Sequence, residues 1–322
     1  MLKKLRPILI ILFLIAISLT IFLRETINTQ KTDFVMDTIM TINAKGINSK
    51  NATKMAFERA REIEKRMTAH NIHSDLSTGI LHSDTKSVIG RGLYFGEKSD
   101  GLFDISIKPL MDLWNIKSAN PKKPNDVDIK KALSFVDYKK VKIEGERLIL
   151  PQGMSLDLGG IAKGYAADEV ARILRGNGIK DAIIDIGGNV VVIGSKKIGI
   201  QNPLSVANGE YMGIIEATDC AVVTSGSYER NFEQDGKLYH HILNPHNGYP
   251  SNSGLLSATI IGKSSMDADA IATIVFILGE NGLEFARKMG VQAMTISKNN
   301  IVRTTGDFSL VITDDKFKLE EK

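Results

Sequence analysis

DAIIDIGGNVVVIG, Asp181 to Gly194, reads as two apolar runs folded about a Gly187-Gly188-Asn189 turn. Short runs rich in Ile and Val, separated by residues that accept positive φ, predict a β-hairpin. Downstream, further strands are expected at 198–201, 211–217, 220–224 and 256–262, with a closing hairpin turned at Asn299-Asn300. Upstream, DFVMDTIMTINAKG (33–46) alternates like a half-buried strand, and a hairpin-like pair is expected around 138–150. Helical periodicity is confined to separate stretches at 51–67, 127–135, after Gly160, in MDADAIATIVFILG and from about 281. In the first of these, Ala52, Met55, Ala56, Ala60, Ile63 and Met67 share one face. Strands joined by hairpins, with few and separate helices, predict an α+β fold with mainly antiparallel sheets.

The 322 residues suffice for one large domain or two modest ones. Formal net charge is +4, and Lys3, Lys4, Arg6 and Arg24 account for all of it. The body is neutral and offers no basic excess to attract nucleic acid. A single cysteine, Cys220, excludes an intrachain disulfide and a Cys-based zinc site. Behind the basic residues runs ILIILFLIAISLTIFL, Ile8 to Leu23, which as a helix covers roughly 24 Å, short of a hydrocarbon core of about 30 Å unless its flanks snorkel. The segment 1–24 therefore reads as an N-terminal hydrophobic helix, a signal anchor or a signal peptide. An anchor leads because no small-residue cleavage site follows, and the flanking charge directs residues after it outward. Residues 25–32 read as a polar spacer and 33–322 as the exported domain.

Four stretches carry chemistry. MSLDLGGIAKGYAADEV, Met154 to Val170, predicts strand, tight turn and helix, with Gly159 and Gly160 letting backbone approach a ligand and free helix N–H groups favouring an anion. Asp157 and Lys163 flank that turn. In the helix after Met266, Asp269 and Thr273 stand at i and i+4, so carboxylate and hydroxyl share a face and suit a hard cation such as Mg²⁺. A capping Asp267 or Asp269 and a back-bonded Thr273 fit the same residues. HHILNPHNGYP offers His240 and His241, which strand geometry points apart, so one of them can reach a site as general base. TSGSYERNF supplies Thr224, Ser225 and Gly226, a hydroxyl-bearing strand end suited to phosphate. His70, His73 and His82 are irregularly spaced and read as a solvated loop. Together the four stretches indicate metal-assisted chemistry on a phosphate-containing ligand.

In order, VMDTIMTI, FDISIKPLMDLW, SLDLGGIAKGYAAD, IIDIGGN, TSGSYER, HHILNPHNGYP and DADAIAT resemble the motifs of the ApbE family, the FAD:protein FMN transferases. The resemblance implies a T-fold-like α+β architecture, FAD as substrate, Mg²⁺ as cofactor, and transfer of FMN through its phosphate to a Thr or Ser hydroxyl of an acceptor protein, with AMP released. It further implies flavin contact at Met36, FAD-pocket positions at Trp114, Asn115, Ile116 and Ile242, and FAD contacts at Asp157 and Lys163. Metal ligation falls to the Gly160 carbonyl, Asp269 and Thr273, and the general base to His241. Asn244 stands where the family usually has Asp, His70 where relatives often carry an aromatic residue, and the family's lipoprotein cysteine is absent. The expected protein is a membrane-anchored, outward-facing enzyme acting on exported or membrane redox proteins. An FAD pyrophosphatase releasing FMN and AMP to water, or a non-catalytic FAD-binding protein, would use the same residues.

Overall fold

The computed structural model describes residues 10–15, 17–18, 27–69, 71–205, 209–306 and 309–320. Its elements run β1 (Asn28–Val35), β2 (Thr38–Lys45), α1 (Ser49–Met67), α2 (Asp75–Thr78), α3 (Ser83–Lys98), α4 (Lys108–Trp114), α5 (Asp126–Leu133), β3 (Lys142–Glu144), β4 (Arg147–Ile149) and α6 (Ala162–Gly176). There follow β5 (Asp181–Ile186), β6 (Asn189–Ile193), β7 (Ser195–Gln201), β8 (Tyr211–Thr218), β9 (Ala221–Gly226), β10 (Asn231–Gln234), β11 (Lys237–His240) and β12 (Leu255–Gly262). The chain closes with α7 (Ser265–Leu278), α8 (Gly282–Lys288), β13 (Gln292–Ser297), β14 (Ile301–Thr304), β15 (Leu310–Ile312) and β16 (Lys318–Leu319).

A nine-stranded sheet in the order β1-β2-β5-β6-β9-β12-β13-β14-β16 forms the frame, antiparallel except where β16 pairs with β14. Because side chains alternate along a strand, the central strands β6 and β9 serve two cores. Val191 and Val223 pack with the helices, whereas their neighbours Val192 and Val222 pack with Ile198, Met212 and Ile215 of the smaller β15-β8-β7 sheet. On the helical side α7 is apolar almost all round and is buried from Ala268 to Ile277 except at Thr273. The mixed α and β content, the mainly antiparallel pairing and the 187–189 hairpin agree with the sequence reading.

Several local expectations are corrected. The strand expected at 154–158 is reduced to one bridge, Ser155 with Ile107. Asp157 spends its N–H on the Ile105 carbonyl and its carboxylate on the Gly159 N–H, so the alternating Leu156 and Leu158 report burial and not sheet pairing. The single strand expected over 33–46 is the hairpin β1–β2, turned at Met36 and Asp37, which both adopt positive φ although neither is glycine. The expected spacer 25–32 ends early, because β1 starts at Asn28; this polar edge strand lacks apolar alternation and is defined by its pairing with β2. On α1, Met55 is 42% exposed and Phe57 is buried in its place.

Half of the Ile8–Leu23 run lies outside the described residues, as does His70. Residues 10–15 and 17–18 are helical, and no described helix is long and apolar enough to cross a membrane.

Candidate active site

Two hairpin turns, two helix N-termini and the β9–β11 segment enclose a cleft of about 1190 Å³. Its first wall forms where α6 meets α7. Gly164 has no room for a side chain, since a Cβ there would fall 2.3 Å from the Ser265 carbonyl oxygen and 2.7 Å from the Met266 Cα. Asp168, one turn further along α6, accepts hydrogen bonds from Ser264 Oγ (2.8 Å) and from the N–H groups of Ser265 (2.8 Å) and Met266 (3.0 Å). It thereby caps α7 from a neighbouring helix. Burial raises the Asp168 carboxyl above its ordinary pKa, against the pull of those donors.

That contact sets Asp269 against the start of α6. Asp269 is 4% exposed, and its Oδ2 accepts from the Gly164 N–H at 3.1 Å. Lys163 Nζ donates to the Gly159 carbonyl at 3.0 Å and stands 3.5 Å from both Asp269 oxygens. Thr273 lies one turn on, its hydroxyl donating weakly to the Asp269 carbonyl at 3.4 Å. A Cβ on Gly160 would come 3.9 Å from Thr273 Oγ1, an ordinary contact, and 3.2 Å from the Phe103 ring, a tight one, so this backbone lies directly beside both. The Gly160 turn and the Asp269/Thr273 face therefore meet. Carboxylate, carbonyl and hydroxyl are hard oxygen donors suited to Mg²⁺, with places left for phosphate and water. Among the described residues no group of three or more His, Cys, Asp or Glu converges as a metal centre. The set at Gly160, Asp269 and Thr273 contains a single such residue.

The second wall holds the histidines, whose rings separate as strand geometry requires. His240 is 6% exposed, with Nε2 at 2.9 Å from the Ser251 carbonyl and its ring edge-on to Phe276. His241 lines the cleft. Its Nδ1 lies 3.3 Å from the Arg230 carbonyl, a group that can only accept. That contact places the ring proton on Nδ1 and leaves the lone pair on Nε2. Burial, reinforced by the Arg230 guanidinium, pushes His241 down to about 3, so the ring is neutral at physiological pH.

The mouth is bounded by the β1–β2 tip. Met36 N–H donates to Glu64 (2.9 Å), and Asp37 pairs with Lys117 and, at 3.8 Å, with Arg230. Trp114 closes the floor: 1% exposed, it donates from its indole to the Gly248 carbonyl at 2.8 Å and packs against Tyr239 and Tyr249. It shapes the pocket from behind. Asn115, at positive φ, ends α4 and turns the chain into Ile116 at the cleft.

Met36, Trp114, Asn115, Ile116, Asp157, Gly160, Lys163, Thr224, Ser225, His241, Ile242, Asp269 and Thr273 all line this one cleft. Gly226 does not; it lies buried in β9, where a Cβ would fall 2.6 Å from the Tyr228 ring. Its smallness makes room for that ring.

Sequence reasoning missed several acidic groups in the cleft, Asp104, Asp185 and Glu229 among them. Asp104 is buried and accepts from Ser106 N–H, Ser106 Oγ and Tyr138 N–H, which ties the FDISI loop to residue 138. Asp185 Oδ1 accepts from Gly188 N–H (2.9 Å) and tightens the hairpin turn. Glu229 remains open to water inside the cleft, yet the enclosing walls push it up to about 7 against the pull of Lys163 and Arg230. An acidic residue in a loop carries no local signal of such enclosure.

Known proteins resemble this chain in sequence and in fold. The ApbE family model matches residues 36–295. A FAD:protein FMN transferase of Treponema pallidum is 32% identical over 287 residues, covering 81% of this chain and 79% of the relative. One from Klebsiella pneumoniae is 40% identical over 205 residues, covering 62% and 65%. Among solved structures, the ApbE protein of Thermotoga maritima superposes with a TM-score of 0.80 at 28% identity, covering 86% of this chain and 96% of its own. The flavin transferase ApbE of Vibrio cholerae gives 0.75 at 27%, covering 90% and 98%. With the family model matching residues 36–295 and a 32% identical relative named FAD:protein FMN transferase over 81% of the chain, this chain belongs to the ApbE family of flavin transferases.

Proposed function

We propose that the protein transfers the FMN moiety of FAD to a Thr or Ser hydroxyl of an exported or membrane redox protein, in a Mg²⁺-dependent reaction that releases AMP. The observation that carries this reading is the convergence of Gly160, Lys163, Asp269 and Thr273 with His241 on one cleft. Asp269, Thr273 and the Gly160 carbonyl would hold Mg²⁺, which when bound neutralises pyrophosphate charge and makes the FMN phosphorus more electrophilic. Lys163 supplies a second positive charge beside the same diphosphate. His241, neutral and with its lone pair on Nε2, accepts the proton of the acceptor hydroxyl. Its low basicity suits a short-lived role, in which the proton moves as the phosphorus–oxygen bond forms. The basic, apolar N-terminal run supports a membrane-tethered enzyme working outside the cytoplasm, checked by fractionating cells and probing protease access to the intact chain.

The chemical test incubates the protein with FAD, Mg²⁺ and an acceptor domain, then measures covalent flavin fluorescence on the acceptor and free AMP. Labelled acceptor with stoichiometric AMP is the expected result. AMP without label would identify a pyrophosphatase, and bound FAD with neither product a carrier. Asp269→Ala is expected to abolish Mg²⁺-dependent turnover; a fully active variant would remove Asp269 from the metal site.

A further inference from the structure

Among the described residues four buried side-chain atoms lack any hydrogen-bond partner: Thr53 Oγ1, Asn189 Nδ2, Ser265 Oγ and Arg303 Nε. Of these four residues, Asn189 is the one that lines the cleft, and it is 2% exposed. A buried amide donor without an acceptor is destabilising, and native folds keep few of them. The local structure explains why the protein supplies none. Asn189 opens β6, its backbone in register with Ile186 across the hairpin and with Val223 of β9, which fixes where its side chain starts. Asp185 on the same hairpin is engaged by the Gly188 N–H, and the Thr224 hydroxyl pairs with Thr259 at 2.8 Å.

The position of Asn189 selects the part of the ligand it meets. Gly187 presses on β2 so closely that a Cβ would fall 2.3 Å from Thr38 Oγ1. Asn189 thus belongs to the wall built by the two hairpin turns, whereas Gly160, Lys163, Asp269 and Thr273 belong to the α6–α7 wall. The anion-binding features, a lysine and a helix N-terminus, are on the second wall. A neutral amide donor on the first suits an uncharged acceptor.

We propose that Asn189 recognises the flavin ring, its amide N–H₂ donating to a carbonyl or imine acceptor of the isoalloxazine once FAD is bound. This inference rests on the flavin transferase reading and adds a binding residue to it. The hydrogen bond is made only in the complex, so its loss affects affinity and not the free protein.

The test compares wild-type protein with Asn189→Ala and Asn189→Leu, the second preserving bulk. Calorimetric titration measures binding of FAD, FMN and ADP, and thermal denaturation measures the ligand-free proteins. Both variants are expected to bind FAD and FMN roughly five- to a hundredfold more weakly. ADP binding is expected to be unchanged, and the ligand-free Tm unchanged or raised. Unchanged FAD affinity, or an equal loss for ADP, would overturn the assignment, as would a lower Tm without loss of FAD affinity. Wild-type protein unable to bind FAD would instead remove the flavin transferase reading, and this inference with it.

Discussion

Glu229 shows what a single residue acquires from enclosure. Its folded pKa of about 7 lies above the ordinary carboxylate value of 4.5, so the folded state retains a proton that the unfolded chain gives up. The associated stability is fully present below about pH 4.5 and is lost as pH rises through about 7. Glu229→Gln is therefore expected to flatten the decline in ligand-free stability across that window, as measured by denaturant midpoints at a series of pH values. An unaltered decline would assign it to Asp104, Asp168 and Asp185, whose carboxyls burial also raises. His241 behaves in the opposite sense. It is neutral above about pH 3, so its own protonation imposes no acid limb on activity between pH 5 and 8.

At the scale of elements, the site depends on how closely α6 approaches α7. Alanine in place of Gly164 would gain about 1 kcal/mol of helix propensity. Its methyl group, however, meets the backbone at Ser265 and Met266, which cannot rotate aside. Overpacking of this kind costs about 1–3 kcal/mol and pushes the helices apart. Gly164→Ala is expected to lower Tm and also to weaken Mg²⁺-dependent FAD binding, because Asp269 loses the Gly164 N–H and its place beside Gly160. Weaker stability with unchanged binding would show that the site tolerates the shift. The β1–β2 and β5–β6 turns are a second such device, since Gly187 against Thr38 brings two hairpins to one rim.

Across the whole molecule, the large sheet separates a helical face bearing the site from a face covered by the β15-β8-β7 sheet. Phe317, 4% exposed, packs in the second layer with Met294, Ile296 and Val302. Phe317→Ala is expected to cost about 3–5 kcal/mol. Turnover per folded molecule should persist, as measured by kcat at a temperature where the variant remains folded. A matched loss of kcat would mean the two layers are coupled more tightly than their separate cores indicate.

The sequence by itself determined the class of the fold, the helices after Gly160 and Met266, the hairpin at 187–189 and the pairing of Asp269 with Thr273 on one helix face. These follow from short-range rules: side-chain period, glycine placement and the i, i+4 geometry of Asp269 and Thr273. Tertiary structure alone decided which histidine faces inward, that Gly226 serves Tyr228 and not a ligand, and that Met154–Leu158 pairs with a loop. It also raised Glu229 to about 7 and left the Asn189 amide without a partner. Burial, desolvation and hydrogen-bond satisfaction are sums over neighbours from distant parts of the chain, and no local pattern encodes them.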